Sequence, residues 1–187
     1  MTLTYSLTEE DYLQSQLFIA SKSDRIKKQR RKDWLFFSGL LLLVGVVFSL
    51  LTFEKPILYY FLANYFVGVM VISFVAYPPY QRNPYIQYYR KYVAEAFKES
   101  LNKQNTIKFN NDFIDCLDAK ESSKLNLTDV VNVYETAMLF SLQLKTGAHL
   151  IIPKAELNNG DDVRTLLTTL SKKLNINFIS DLNWEWK

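Results

Sequence analysis

Two uncharged apolar runs, Trp34–Phe53 and Ile57–Tyr77, separated only by Glu54-Lys55-Pro56, constrain this chain more than any other feature. The first (WLFFSGLLLLVGVVFSLLTF) is twenty residues long and the second (ILYYFLANYFVGVMVISFVAY) twenty-one. At the rise of an α-helix, each run covers roughly the 30 Å of a bilayer's hydrocarbon layer. The apolar hairpin of a soluble protein would carry a polar stripe, and neither run has one. So short a link makes the two helices antiparallel neighbours. The expectation is a two-helix transmembrane hairpin over residues 34–77.

The basic residues set its orientation. Lys22, Arg25, Lys27, Lys28, Arg30, Arg31 and Lys32 precede the first run, Arg82, Arg90 and Lys91 follow the second, and Lys55 stands alone between them. Cytoplasmic flanks carry the excess of Lys and Arg, so both termini are expected in the cytoplasm and the chain in the cell membrane as a multi-pass protein. Trp34, Tyr77 and Tyr80 would mark the inner interface, and Tyr59 and Tyr60 the outer one. Arg25–Lys32 (RIKKQRRK) would gain about 1 kcal/mol per basic residue beside anionic lipid. A signal peptide is not expected, because the first run begins late and is about twice the length of a signal-peptide core.

Counted from the turn, Gly45 and Asn64 fall at similar depth, as do Ser38 and Ser73. Small residues let helices approach, and an asparagine in lipid seeks a partner. Asn64 facing Gly45 is the packing expectation. With no ionisable residue in either run, a transported ion has nothing to bind.

Outside the runs the chain reads as an ordinary soluble sequence, which is why hydrophobic residues total 49% while mean hydropathy is only −0.07. A net charge of +3 is too small to imply a nucleic-acid partner. Cys116 is the only cysteine, so neither an intrachain disulfide nor a Cys-based zinc site can form, which suits a reducing compartment.

Thr2–Ser6 alternates as an edge strand would. Thr8 is a candidate N-cap before Glu9, Glu10 and Asp11, and Tyr12, Leu13, Leu17, Phe18 and Ala20 supply a helical apolar face. After the second run, Pro78-Pro79 and Pro84 should end the helix and turn the chain. A further helix is expected from Tyr85 to Leu101, with Ile86, Tyr89, Val93, Ala96 and Phe97 on one stripe; tyrosines and bases beside it suit an interfacial position. From Asn105 the period changes to two. Strands are expected at 106–109, 113–118, 124–127, 131–136 and 138–145, with 149–152 the last, ended by Pro153. Asp161 and Asp162 should then open a helix with Val163, Leu166, Leu167, Leu170 and Leu174 on one face. Antiparallel strands followed by one amphipathic helix make an α+β pattern.

In this order the segments resemble the YcxB-like membrane proteins, from end to end of the chain. The likeness lies in Tyr5–Tyr12 (YSLTEEDY), the hairpin, Ile107–Asp112, Ser123–Glu135 (SKLNLTDVVNVYE), Leu150–Lys154 (LIIPK) and the closing helix. Leu127 stands where that family tends to have tryptophan. The resemblance implies a C-terminal domain similar to bacterial pleckstrin-homology (PH)-like domains: an antiparallel sheet capped by a C-terminal helix. It implies no activity. The expected organisation is an N-terminal strand and helix (1–33), the transmembrane hairpin (34–77), an interfacial linker helix (78–102) and a cytoplasmic PH-like domain (103–187).

The catalytic inventory is thin. His149 is the only histidine, which rules out a His-rich metal site and leaves any triad dependent on this one residue. Cys116 reads as a small buried hydrophobe without a visible basic neighbour to make it a thiolate. Asp112, Asp115 and Asp118 fall on alternating strand faces and cannot converge without a bulge. Five glycines assemble no phosphate-binding fingerprint. No catalytic, metal or cofactor residue is therefore assigned, and the chain is not expected to be an enzyme. The expectation is a membrane-anchored binding or scaffold module whose partners are the bilayer and anionic lipid headgroups or a membrane protein, with Lys124, Lys145 and Lys154 as candidate binding residues. The alternative is a regulatory or immunity-type protein that binds another membrane protein through its hairpin. Trp184 and Trp186 at the C-terminal end are expected to dock on the protein, since exposed large aromatics are costly unless used.

Overall fold

The computed structural model describes every residue except 52–53, 55, 118–121, 158 and 187, and the side chains of all of these except 56, 76–79 and 122. The described residues form two compact units: those of Met1–Leu17 with Tyr89–Glu185, and those of Phe18–Tyr88 with Trp186.

The first unit is α+β. Strand β1 (Thr2–Ser6) leads into α1 (Glu9–Lys22), whose start is fixed by a reciprocal cap. Thr8 donates through its backbone N–H and Oγ1 to Asp11 Oδ2 (2.9 and 2.6 Å), and Asp11 N–H donates back to Thr8 Oγ1 (3.2 Å). Four strands follow α4 (Arg82–Ala96): β2 (Gln104–Phe109), β3 (Phe113–Leu117), β4 (Ser122–Asn126) and, after a 3-10 turn at Leu127–Asp129, β5 (Val130–Glu135). The chain ends with β6 (Leu139–Leu144), β7 (His149–Pro153), α5 (Gly160–Leu174) and β8 (Asn177–Ser180). Helix α5 closes at Asn175, which takes the left-handed conformation (φ 54) that Asn tolerates and donates its N–H to Ser171 and Lys172 carbonyls.

Two four-stranded sheets result, ordered β1-β2-β3-β4 and β7-β6-β5-β8, where one antiparallel sheet was expected. The N-terminal strand is the difference in the first sheet. It pairs with β2 in register from Thr2↔Lys108 to Ser6↔Gln104, so the α+β unit is not confined to 103–187. The difference in the second sheet is β8, which lies parallel to β5 (Val133↔Phe178). Its four residues, NFIS, are too short to show alternation, and the strand at 149–152 is therefore not the last. Tyr5 links the sheets by donating its buried hydroxyl to Ile151 O at 2.7 Å.

Strand alternation explains the core. Leu3, Tyr5, Ile107, Phe109 and Ile114 are buried on one face of the first sheet, and Val133, Phe140, Leu142 and Ile152 meet Val163, Leu167 and Leu170 of α5 in the same cluster. Leu127, where the resemblance would place tryptophan, is buried here as well.

The second unit is built on α2 (Asp24–Leu51) and α3 (Pro56–Tyr80), which pack as a hairpin. Helix α2 begins within the basic run, so the cations and the apolar run share one continuous helix of 28 residues. Pro78 and Pro79 do not end α3 before them. A proline has no N–H to donate to the carbonyl four residues back, so Pro78 and Pro79 offer no helical donor to the carbonyls of Phe74 and Val75, yet the helix continues to Tyr80. Pro84 occupies the first turn of α4, where an N–H has no helical partner to lose. The helix expected over Tyr85–Leu101 accordingly runs from Arg82 to Ala96, after a turn at Gln81.

Candidate membrane anchor and charged clusters

Helices α2 and α3 are both long and apolar enough to cross a membrane, and none of their apolar windows is buried by protein. Their contacts follow antiparallel depth. Trp34 packs on Phe74 (4.5 Å between ring centroids), Phe48 on Phe66 (5.4 Å), and a Cβ added to Gly45 would touch the Phe66 side chain at 3.5 Å. A groove of about 400 Å³ opens between the helices, lined by Leu42, Gly45, Ser49, Ala63, Phe66 and Met70 among others.

Gly45 thus opposes Phe66 and not Asn64. The Asn64 carboxamide lies on the exposed side of α3 and donates through Nδ2 to Tyr60 O of its own helix at 2.8 Å. Helical phase decides the contact: Asn64 and Phe66 are two residues apart, which on an α-helix means opposite sides.

The basic flank divides in two. Arg25, Lys27, Lys28, Arg31 and Lys32 are exposed, with Lys27 at 4.0 Å from Asp24. Arg30 is held inward. Its guanidinium lies over the rings of Trp186 (5.1 Å) and Tyr85 (5.8 Å) and donates from Nε to Gln81 Oε1 (3.4 Å), while Gln81 Nε2 donates to Arg30 O (3.4 Å). Trp186 is buried by this arrangement, as its docking required. Tyr80 is exposed, Tyr77 has its side chain outside the described residues, and Lys91 is exposed. Arg90 stands 3.9 Å from Glu9 and 3.7 Å from Glu10 at the head of α1, so it is paired within the α+β unit.

The three candidate lysines do not form one site. Lys154 donates to Glu135 Oε1 at 2.8 Å and is mostly covered; Lys145 stands 3.6 Å from Asp129 at the β6–β7 turn; Lys124 lies on β4 with its Nζ 3.3 Å from the centre of the Phe113 ring. Lys154 is corrected from a binding residue to a structural one. Its partner Glu135 is 3% exposed, and Arg164 of α5 (3.2 Å) and the Ser180 hydroxyl (2.8 Å) complete the cluster. Burial pushes the Glu135 carboxyl up, but the bonds from Lys154 and Ser180 and the charges of Lys154 and Arg164 outweigh it and hold it below the ordinary value. Sequence reasoning missed this cluster. Its signal was a glutamate sharing the buried face of β5 with Val133, which requires a cation. Register also adds Lys108: Lys108, Asp115 and Lys124 lie in one row across β2, β3 and β4 on the outer face of the first sheet.

His149 is half-buried on β7, its Nδ1 at 2.8 Å from the fully buried Ser141 hydroxyl and its ring stacked on Tyr134; burial lowers its pKa and keeps it neutral. Burial pushes the Cys116 thiol up, as does the Asp115 charge, with a smaller opposing bond from Ser123, so it is not a thiolate. Asp115 accepts from Asn110 Nδ2 at 2.9 Å, and Asp118 lies outside the described residues. Among the described residues no group of three His, Cys, Asp or Glu side chains gathers to hold a metal ion.

No family model, curated protein or solved structure matches the chain.

Proposed function

We propose that the chain is a membrane-anchored binding or scaffold protein whose hairpin spans the cell membrane with both termini in the cytoplasm, where the α+β unit meets a headgroup or protein partner. One observation carries it. The residues that expose most apolar surface, such as Ile57 (87%) and Leu50 (72%), belong to the two uncharged runs of α2 and α3 that no protein surface covers, and a bilayer is the solvent in which that arrangement is stable. The orientation is drawn from the five exposed bases on the first turns of α2, against Lys55 alone between the spans. Antiparallel strands β2 to β7 followed by α5 suit the PH-like, YcxB-like domain that the sequence resembles. On the outer face of the first sheet, Lys108 and Lys124 supply the cationic edge for an anionic headgroup.

The full chain in lipid discs tests the headgroup contact. Amide hydrogen exchange is compared between zwitterionic discs and discs with added anionic lipid, at low and physiological salt. The expected result is protection on β2 and β4 that anionic lipid adds and salt removes. Identical exchange in both lipids would exclude headgroup binding by that face and direct the search to a protein partner.

A further inference from the structure

Asn64 is the most polar side chain within either apolar run, and it faces away from the hairpin it belongs to. One carboxamide hydrogen is used by Tyr60 O; among the described residues neither the second hydrogen nor Oδ1 has a partner. In water this would cost nothing. In hydrocarbon, an unpaired amide hydrogen and carbonyl are each unfavourable by more than a weak interhelical contact. Gly68 stands one turn further along the same side with nothing within 4 Å of where its Cβ would be, which lets another backbone approach there. Phe61 (71% exposed), Tyr65, Val71, Ile72 and Val75 complete this outward stripe at helical spacing.

Resting on the membrane-spanning reading, we propose that this face of α3 is the interface of a two-fold homodimer in which Asn64 pairs reciprocally with Asn64 of a second copy across the gap left by Gly68. A carboxamide is its own complement, donating through Nδ2 and accepting through Oδ1. A second copy inserted with the same topology presents that complement at the same depth by symmetry, whereas any other partner would have to match both depth and chemistry independently.

The test uses the full chain in native membranes with Cys116→Ser as background. Val71→Cys on the Asn64 face and Leu43→Cys on α2, both exposed, are oxidised in parallel. A crosslinked band at twice the mass of the chain is expected for Val71→Cys and not for Leu43→Cys. Adding Asn64→Leu should lower that band by about five- to tenfold, as loss of two ordinary interhelical hydrogen bonds would, and Asn64→Gln should restore most of it. Equal crosslinking at both positions, or a band of another mass, would overturn the homodimer. Resistance of the same membranes to alkaline carbonate separates the two readings: a resistant protein that stays monomeric overturns the dimer alone, and an extractable one overturns the membrane span and the dimer with it.

Discussion

The α+β unit and the hairpin use the same apolar residue types to opposite ends. In the α+β unit Leu142, Ile152, Val163 and Leu167 have no measurable or almost no exposure, and their alternation or helical spacing tells the chain which face to bury. The hairpin has no such pattern, because its two uncharged runs are apolar all round. Most of its leucines, valines and phenylalanines lie outside, and the half-covered seam takes Trp34, Gly45 and Phe66 together with Leu41, Val44, Leu62 and Val69. Burial in the one is supplied by the protein and in the other is left to the solvent. Where the solvent is lipid, small residues such as Gly45 let two helices approach, and large apolar side chains line the outside.

The contrast can be broken by making one substitution twice. Leu167→Ala in α5 removes a fully buried side chain and should cost about 2–5 kcal/mol, read as a lowered unfolding midpoint of the α+β unit in denaturant. Leu43→Ala in α2 exchanges one exposed apolar side chain for another, and unfolding of the hairpin, followed in the same way, should change by less than about 0.5 kcal/mol. Equal costs would mean that α2 is buried by protein after all.

Glu135→Gln sharpens the same contrast, since a charge is tolerated inside the α+β unit only by pairing. The substitution leaves Lys154 and Arg164 facing a neutral amide and should cost about 2 kcal/mol. It should also change the acid limb of stability. The folded pKa of Glu135 is lowered, so its contribution is complete above the unfolded value of about 4.3 and is lost as pH falls through the folded value. Thermal unfolding between neutral pH and pH about 3 should be less steep in the variant than in the wild type. A parallel pair of curves would deny the carboxylate its ionic role.

Tyr5→Phe should cost about 1 kcal/mol by leaving the buried Ile151 carbonyl without its donor, and hydrogen exchange should rise in β7 before it rises in β3. The smallest effect belongs to His149. Burial lowers its pKa, so stability is full above the unfolded value of about 6.5 and declines as pH falls below it; His149→Gln should remove that slope. An unchanged slope between pH about 5 and 6.5 would mean another group titrates there.

Legibility followed the same division. The helical spans, the Thr8 cap, the β5–β6 hairpin and the face of α5 were readable because each has a local signal: an uncharged run, a capping residue, alternation, or a 3.6-residue period. Residue-level placement was lost wherever it depended on a partner distant in sequence. β1 alternated as expected, but nothing local says that it pairs with residues 104–108. β8 forms only beside β5. Lys154 looked available because Glu135 lies nineteen residues before it, and Arg164 is on a third element. Arg30 reads as one of a charge run, and only the placement of Gln81, Tyr85 and Trp186 separates it from its neighbours.

The central claim is that α2 and α3 cross the membrane and return the chain to the side it left. Single cysteines at Glu54 and Asn111, in a Cys116→Ser background, can be treated in intact cells with a maleimide that does not cross membranes. The account predicts labelling of Glu54→Cys in intact cells and of Asn111→Cys only after permeabilisation. Labelling of both, of neither, or in the reverse order would contradict it.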